Sequence, residues 1–294
     1  MTGLIDAEGS FIISIKINKE LKLGWRVRSI FSICLHSRDL SLLLELQEYF
    51  GGIGSISKNK NRKEVIYSVN GLKDLTTVLI PHFEKYGLLT QKAADFILFT
   101  KVVELMNTKA HLSLEGLKQI INIKASMNLG LSETLKSEFN NIISVDRPII
   151  LTKNIPNPNW LSGFVTGEGN FYVNIQKSKS NLGSKINLRF QISQHERDLK
   201  LIDLLIKYLG SGKIYKGSKN RVVSLTIYKF SDIINLIIPF FEQNPLYGVK
   251  VLDFIDWCSV AKLMSEGKHL TIEGLELIST IKDRMNRGRK ITKN

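Results

Sequence analysis

Cysteine is almost missing from this sequence: 294 residues carry only Cys34 and Cys258. Two are too few for a disulfide framework or a cysteine metal knuckle, and such thiols are expected to stay reduced, packed among apolar neighbours. Proline is scarce too, with six residues, so long stretches are free to form helix or strand. No apolar run approaches the roughly 18 residues of a membrane-spanning helix, and the N-terminus has no basic-then-apolar signal pattern. The expectation is a soluble, non-secreted protein without a membrane partner. Acid is also in short supply: 27 Asp+Glu face 41 Lys+Arg, a net charge of +14. A polyanion is therefore the first partner to consider, with nucleic acid ahead of acidic membrane. The 43% hydrophobic content suits folded protein, and the length allows two cores.

The sequence is written twice. Gly3-Leu-Ile-Asp-Ala-Glu-Gly-Ser-Phe11 recurs as Gly163-Phe-Val-Thr-Gly-Glu-Gly-Asn-Phe171, a shift of 160. Phe31 to Gly51 recurs at Phe190 to Gly210, a shift of 159, and Ile80 to Asn128 recurs at Ile238 to Asn286, a shift of 158 with 22 of 49 positions identical. Three collinear matches mean two copies of one fold. The copies are expected at 1–128 and 160–294, joined by a linker at 129–159 where Asp146-Arg-Pro148 and Ile155-Pro-Asn-Pro158 interrupt regular structure.

Each copy reads as helix, strand, strand, helix, strand, strand, helix, helix, an α+β class in which an antiparallel four-stranded sheet is backed by helices. In the first strand Phe11, Ile13, Ile15 and Ile17 oppose Ser10, Ser14, Lys16 and Asn18. In its repeat Phe171, Val173 and Ile175 oppose Asn170, Tyr172, Asn174 and Gln176. Further on, Ile186, Leu188, Phe190 and Ile192 oppose Lys185, Asn187, Arg189 and Gln191, and Val223, Leu225 and Ile227 oppose Ser224, Thr226 and Tyr228. Arg26, Arg28, Ser32, Ser68 and Asn70 are the outward candidates of the first copy. Basic turn tips carry Lys58, Lys60 and Arg62, and Lys216, Lys219 and Arg221. A polar sheet face is commonly just solvated. Here amides and guanidiniums suited to base edges, with cations at the tips, make duplex DNA the expected partner of these residues.

Gly3 to Gly9 and Gly163 to Gly169 resemble the paired motifs of the LAGLIDADG homing endonucleases, in the single-chain, two-motif, fungal organellar form encoded in group I introns. Phe190-Gln-Ile-Ser-Gln194 and the positions of Lys92 and Lys250 extend the resemblance over nearly the whole chain. It implies two pseudo-symmetric αββαββα repeats packed through their motif helices, with Gly3 and Gly163 in the seam and Gly9 and Gly169 ending the helices in the left-handed geometry glycine tolerates. It further implies a monomeric, mitochondrial DNA endonuclease that hydrolyses both strands of a long asymmetric target. Glu8 and Glu168, with the carbonyls of Ala7 and Gly167, would hold Mg²⁺, with Mn²⁺ able to substitute. A carboxylate at a helix C-terminus opposes the helix dipole unless a cation is near. Lys92 and Lys250 are either solvated helix starts or stabilisers of phosphate charge. Gln194 matches a position that orders water; its counterpart is Leu35, so in the first half that task passes to a neighbour such as Ser32 or is absent.

His36 and His195 precede Arg-Asp pairs and are read as helix N-termini near phosphate, and Ser113 and Thr271 as N-caps. Met1 in place of a nucleophile, and Lys293 before Asn294, speak against an intein. Only Met1 and Thr2 precede Gly3, so a short first helix is expected. The rival function is an RNA-binding intron-splicing maturase, with or without cutting, which would add intron RNA to the partners.

Overall fold

The computed structural model describes residues 1–59, 61–179, 183–217 and 221–289. Lys60 and Lys219 of the expected basic tips lie outside the described residues. The chain divides into two compact units, one of 4–151 with Thr2, the other of 152–294 with Met1 and Gly3.

In the first unit the motif helix Thr2–Glu8 runs into β1 (Gly9–Ile17), followed by β2 (Trp25–His36), a helix Leu40–Tyr49, β3 (Ser55–Asn59) and β4 (Glu64–Val69). A helix from Leu72 then passes through a π-turn, Leu75–Leu79, into Ile80–Lys85, and the long helix Lys92–Asn107 precedes Leu114–Ala125. The antiparallel sheet has the order β1-β2-β4-β3. Its inward face is apolar by alternation: Phe11 and Phe31 meet Phe83 from Ile80–Lys85 and, through Phe11, Phe96 and Phe99 from the long helix, with ring centroids 5.2–5.9 Å apart. Area removed from water on this scale, about 1.5 to 3 kcal/mol per fully buried large side chain, fixes the register. A one-residue slip would turn these rings to solvent.

The second unit repeats the plan. Its motif helix Pro158–Glu168, capped by the Asn157 side chain on the Trp160 N–H at 2.9 Å, leads into β5 (Gly169–Lys177), β6 (Ser184–His195), helix Leu199–Leu209, β7 (Lys213–Lys216) and β8 (Val222–Ile227). The order is β5-β6-β8-β7. Phe171, Phe190, Phe241, Phe254 and Trp257 form the matching core. The π-turn recurs at Ile233–Ile237, again just ahead of a helix with proline in its first turn, Pro239 here and Pro81 in the first unit. The N-caps are as expected, Ser113 on the Gly116 N–H and Thr271 on the Gly274 N–H, both at 3.1 Å.

Four expectations need correction or refinement. Ile17 is 54% exposed, at the last position of β1. Cys34 is exposed, because β2 alternation puts it on the outward face with Arg28 and Ser32; Cys258 is half-buried. Gly9 and Gly169 are not left-handed: Gly169 has φ −77 and ψ 150, and Gly9 is not among the positive-φ glycines. What requires glycine there is closeness, since a Cβ on Gly9 would lie 2.6 Å from the Ile5 carbonyl oxygen and one on Gly169 2.6 Å from that of Val165. Finally, much of the expected linker is packed on the first unit. Leu135 is buried in the short helix Glu133–Glu138, and Arg147 forks onto buried Asp95 at 2.7 and 2.9 Å.

Candidate catalytic centre and nucleic-acid interface

Glu8 is the last residue of the first motif helix. Its charge reaches the outward sheet face, where it helps push the thiol of Cys34 above its usual range, after burial and Glu64. The carbonyls of that helix end point at a lysine. Lys92, first residue of the long helix, donates from Nζ to Ile5 O at 3.2 Å and Ala7 O at 2.9 Å. An ammonium against C-terminal carbonyls offsets the negative helix end on which Glu8 sits.

A residue absent from the expected site anchors this arrangement. Asp6, 1% exposed, accepts the N–H of Leu89 at 2.6 Å, the N–H of Thr90 at 3.2 Å and the Thr90 hydroxyl at 2.5 Å. Thr90 Oγ1 in turn accepts the Lys92 N–H at 3.1 Å. The motif helix is thus tied to the start of the lysine-bearing helix. Burial pushes the Asp6 carboxyl up, while Thr90, Leu89 and Lys92 pull it back.

The second unit ties its motif helix without a buried acid. Glu168 ends the motif helix, and Lys250, again the first residue of a long helix, donates from Nζ to Gly169 O at 2.6 Å. Thr166 replaces the buried acid: its hydroxyl donates to Ser162 O at 2.8 Å and accepts the Tyr247 N–H at 3.1 Å. Both units also share an asparagine clamp. Asn128 and Asn286, with φ of 47 and 53, donate their N–H to Asp95 and Asp253 at 2.9 Å, and their side-chain amides to Phe11 O and Phe171 O at 2.8 and 3.2 Å. Their identity in the repeat alignment was the available signal for this clamp, as for the lysines.

The outward faces are built by strand pairing. In the first unit Ser10 sits opposite Ser32, Ser14 opposite Arg28, Lys16 opposite Arg26, and Ser32 also opposite Ser68. Arg26, Arg28 and Lys16 are exposed, Ser10, Ser14, Asn18, Ser32 and Ser68 half-buried, and Asn70 is exposed just past β4. Ser14, Lys16, Asn18, Arg26, Arg28 and Ile30 line one open groove on this face.

In the second unit Asn170 opposes Gln191, Tyr172 opposes Arg189, Asn174 opposes Asn187, and Gln176 opposes Lys185. The Arg189 guanidinium lies 4.3 Å over the Tyr172 ring, which restrains it on the face. Tyr228 and Tyr215 share a hydroxyl contact at 2.7 Å. Ser224 and Thr226 have the outward alternation yet are 7% and 6% exposed; Gln191, opposite Thr226, bonds Ser224. Lys58, Arg62, Lys216 and Arg221 are exposed at the tips, Arg221 within 3.5 Å of Glu196. Gln194 and Leu35 fall on the inward alternation at the ends of β6 and β2, both half-buried. His36 and His195 each accept a main-chain N–H, from Arg38 and Arg197, at 3.2 Å, so they cap short helical turns.

Among the described residues no cluster of three or more His, Cys, Asp or Glu is placed to hold a metal. The donors at each motif-helix end are one carboxylate and main-chain carbonyls near it, including Ala7 and Gly167. Ala7 O, though bonded to Lys92, keeps a second lone pair. Such an all-oxygen set with few protein ligands suits a hard divalent cation that keeps water and takes ligand oxygens. Among the described residues no helix is long and apolar enough to cross a membrane.

Residues 1–103 and 161–261 each match the family model described as LAGLIDADG endonuclease. The chain is 52% identical over 281 residues to probable intron-encoded endonuclease 3 of Neurospora crassa, covering 95% of this chain and 52% of that protein. It is 40% identical to probable intron-encoded endonuclease 2 of the same organism, covering 96% and 64%. It therefore spans about half to two thirds of these relatives' length. Among solved structures, the I-SmaMI LAGLIDADG homing endonuclease bound to cleaved DNA superposes with a TM-score of 0.96 at 46% identity, covering 98% of this chain and 96% of that one. I-LtrWI bound to target DNA gives 0.95 at 41%, covering 98% and 97%. I-SmaMI has also been solved with uncleaved target in the presence of calcium ions.

Proposed function

We propose, because the chain belongs to the LAGLIDADG endonuclease family, that it is a site-specific endonuclease that breaks both strands of a long, asymmetric DNA duplex. The observation that carries this reading occurs in each unit separately: a carboxylate ends the motif helix, and an ammonium from a later helix bonds main-chain oxygens at that helix end. Two carboxylates supply one centre for each strand's scissile phosphate, so one chain suffices and the protein acts as a monomer. Glu8 with Ala7, and Glu168 with Gly167, would hold Mg²⁺ or Mn²⁺, which when bound activates water and offsets charge on the phosphate and the departing 3′ oxygen. Hydrolysis adds the water oxygen to phosphorus and breaks the bond to O3′, leaving a 5′-phosphate and a 3′-hydroxyl. Lys92 and Lys250 hold the helix ends and add positive charge beside the phosphate; Gln194 is the candidate to order water in the second unit.

The outward sheet residues then choose the sequence, and the basic tips bind phosphate without choosing. Arg26 and Arg28 face a different set, Lys185 and Asn187, at the aligned strand positions, which supports two unlike half-sites. The relatives' names as intron-encoded endonucleases support intron homing and an organellar, mitochondrial setting; their extra length leaves room for further parts. The test is to incubate the protein and Mg²⁺ with a random duplex library and sequence the cut molecules. One long asymmetric site, lost in EDTA, is expected. Intron RNA binding without any cut duplex would point to the maturase instead.

A further inference from the structure

Ser193 and Ser224 stand opposite each other on β6 and β8, and Gln191 lies one outward position along β6. Gln191 Nε2 is 2.9 Å from Ser193 Oγ and 3.1 Å from Ser224 Oγ, and the two hydroxyls are 2.8 Å apart. The three atoms make a nearly equilateral triangle. The two oxygens lie close together as seen from the amide nitrogen, so one N–H can be shared between the serines while one serine donates to the other. Every side of the triangle then has a proton. With the amide turned over, Oε1 would face the serines, and two hydroxyl hydrogens would have to fill three contacts. Proton counting therefore favours the orientation with Nε2 towards the serines.

With the serines holding the hydrogen that points away from Oε1, the opposite amide edge stays open. What remains is the other amide edge, one acceptor beside one donor. Adenine offers the complement in the major groove, an N6 amino donor beside the N7 acceptor. Guanine offers two acceptors, O6 and N7, so the open edge can pair only its donor there and sets Oε1 against the other acceptor. Thymine and cytosine each offer a single polar group there.

We propose that Ser193 and Ser224 are specificity-setting residues that hold Gln191 in an adenine-reading orientation and exclude guanine at one base pair of the target. This rests on the reading of the sheets as the DNA-recognition surface. The first unit has no equivalent lock: the aligned residues are Ser32, Cys34 and Ile66.

The experiment uses the full chain and the duplex it selects from a random library, with all four bases placed in turn at each pair and affinity measured at fixed salt. Gln191→Ala identifies the pair that Gln191 reads. The wild type should prefer adenine there. Ser193→Ala leaves Ser224 free to accept from the amide or donate to it, so the preference for adenine over guanine should fall by about tenfold at that pair alone. Ser193→Thr, which keeps the hydroxyl, should retain it. A preferred base other than adenine, or an unchanged adenine-to-guanine ratio in Ser193→Ala, overturns the proposal. If Gln191→Ala shifts no base preference anywhere, the proposal fails; the sheet reading fails with it only if Arg189→Ala also shifts none. Because the readout is a ratio between duplexes, loss of folded protein cannot mimic it.

Discussion

Replacing Asp6 by alanine tests whether a buried acid anchors the first candidate catalytic centre. The substitution leaves the N–H groups of Leu89 and Thr90 without their acceptor in a site where Asp6 is 1% exposed. Each orphaned buried donor costs about 1 to 3 kcal/mol, so the sum is about 2 to 6 kcal/mol. In the second unit Thr166→Ala orphans one donor, the Tyr247 N–H, and should cost about 1 to 3 kcal/mol. Asp6→Thr installs the second unit's group and should fall between wild type and Asp6→Ala. Two units need not unfold together, so a single unfolding midpoint is a poor readout. Hydrogen exchange of the 87–92 segment, read by mass spectrometry, reports the anchor locally. Because Thr90 also holds the Lys92 N–H, Asp6→Ala should slow nicking of one strand more than the other. Unchanged protection at 87–92, or a larger penalty for Thr166→Ala than for Asp6→Ala, would mean that Asp6 is not the anchor.

Magnesium or manganese should support cutting and calcium should permit binding with little cleavage, as oxygen-only sites favour hard cations; full activity in EDTA would remove the metal from the mechanism. Changing Lys58 and Arg62 together should weaken all duplexes alike and flatten the dependence of affinity on salt, by about one unit of log–log slope for each phosphate no longer neutralised; a changed sequence preference would count against a phosphate-only role. His82 sits among the rings of Tyr49, Phe50, Phe83 and Tyr86, and burial first of all lowers its pKa to about 4. The unfolded chain therefore takes up this proton first. Stability from neutral His82 is intact above pH 6.5 and is lost as pH falls towards 4, by roughly 1 to 2 kcal/mol after discounting for partial exposure. Acid titration of His82→Phe should lack that component.

The repeat made most of the fold legible. Alternation in β1, β5 and β6 identified the inward faces because side chains on a strand must take sides, and only the strand end at Ile17 escaped. The caps at Ser113 and Thr271 were legible because they are local. Asp6 was not, because its partners at 89 and 90 are more than eighty residues away and nothing in the spacing joins them. Asp95 and Arg147 were hidden for the same reason, with Arg147 assigned to a linker. Gly9 and Gly169 were recognised as necessary but for handedness, whereas the cause is a carbonyl oxygen under the Cβ position. Ser193 went unnoticed because a serine beside an amide means nothing until strand register supplies its cross-strand partner.

The proposed function requires one indispensable carboxylate from each motif helix, Glu8 and Glu168. Glu8→Gln and Glu168→Gln keep the shape of the side chain and remove its charge, and cleavage and binding of the selected duplex can be measured side by side. Neither variant should yield the double-strand product, while duplex affinity stays within a few-fold of wild type. Double-strand cleavage at the wild-type rate in either variant would contradict the account.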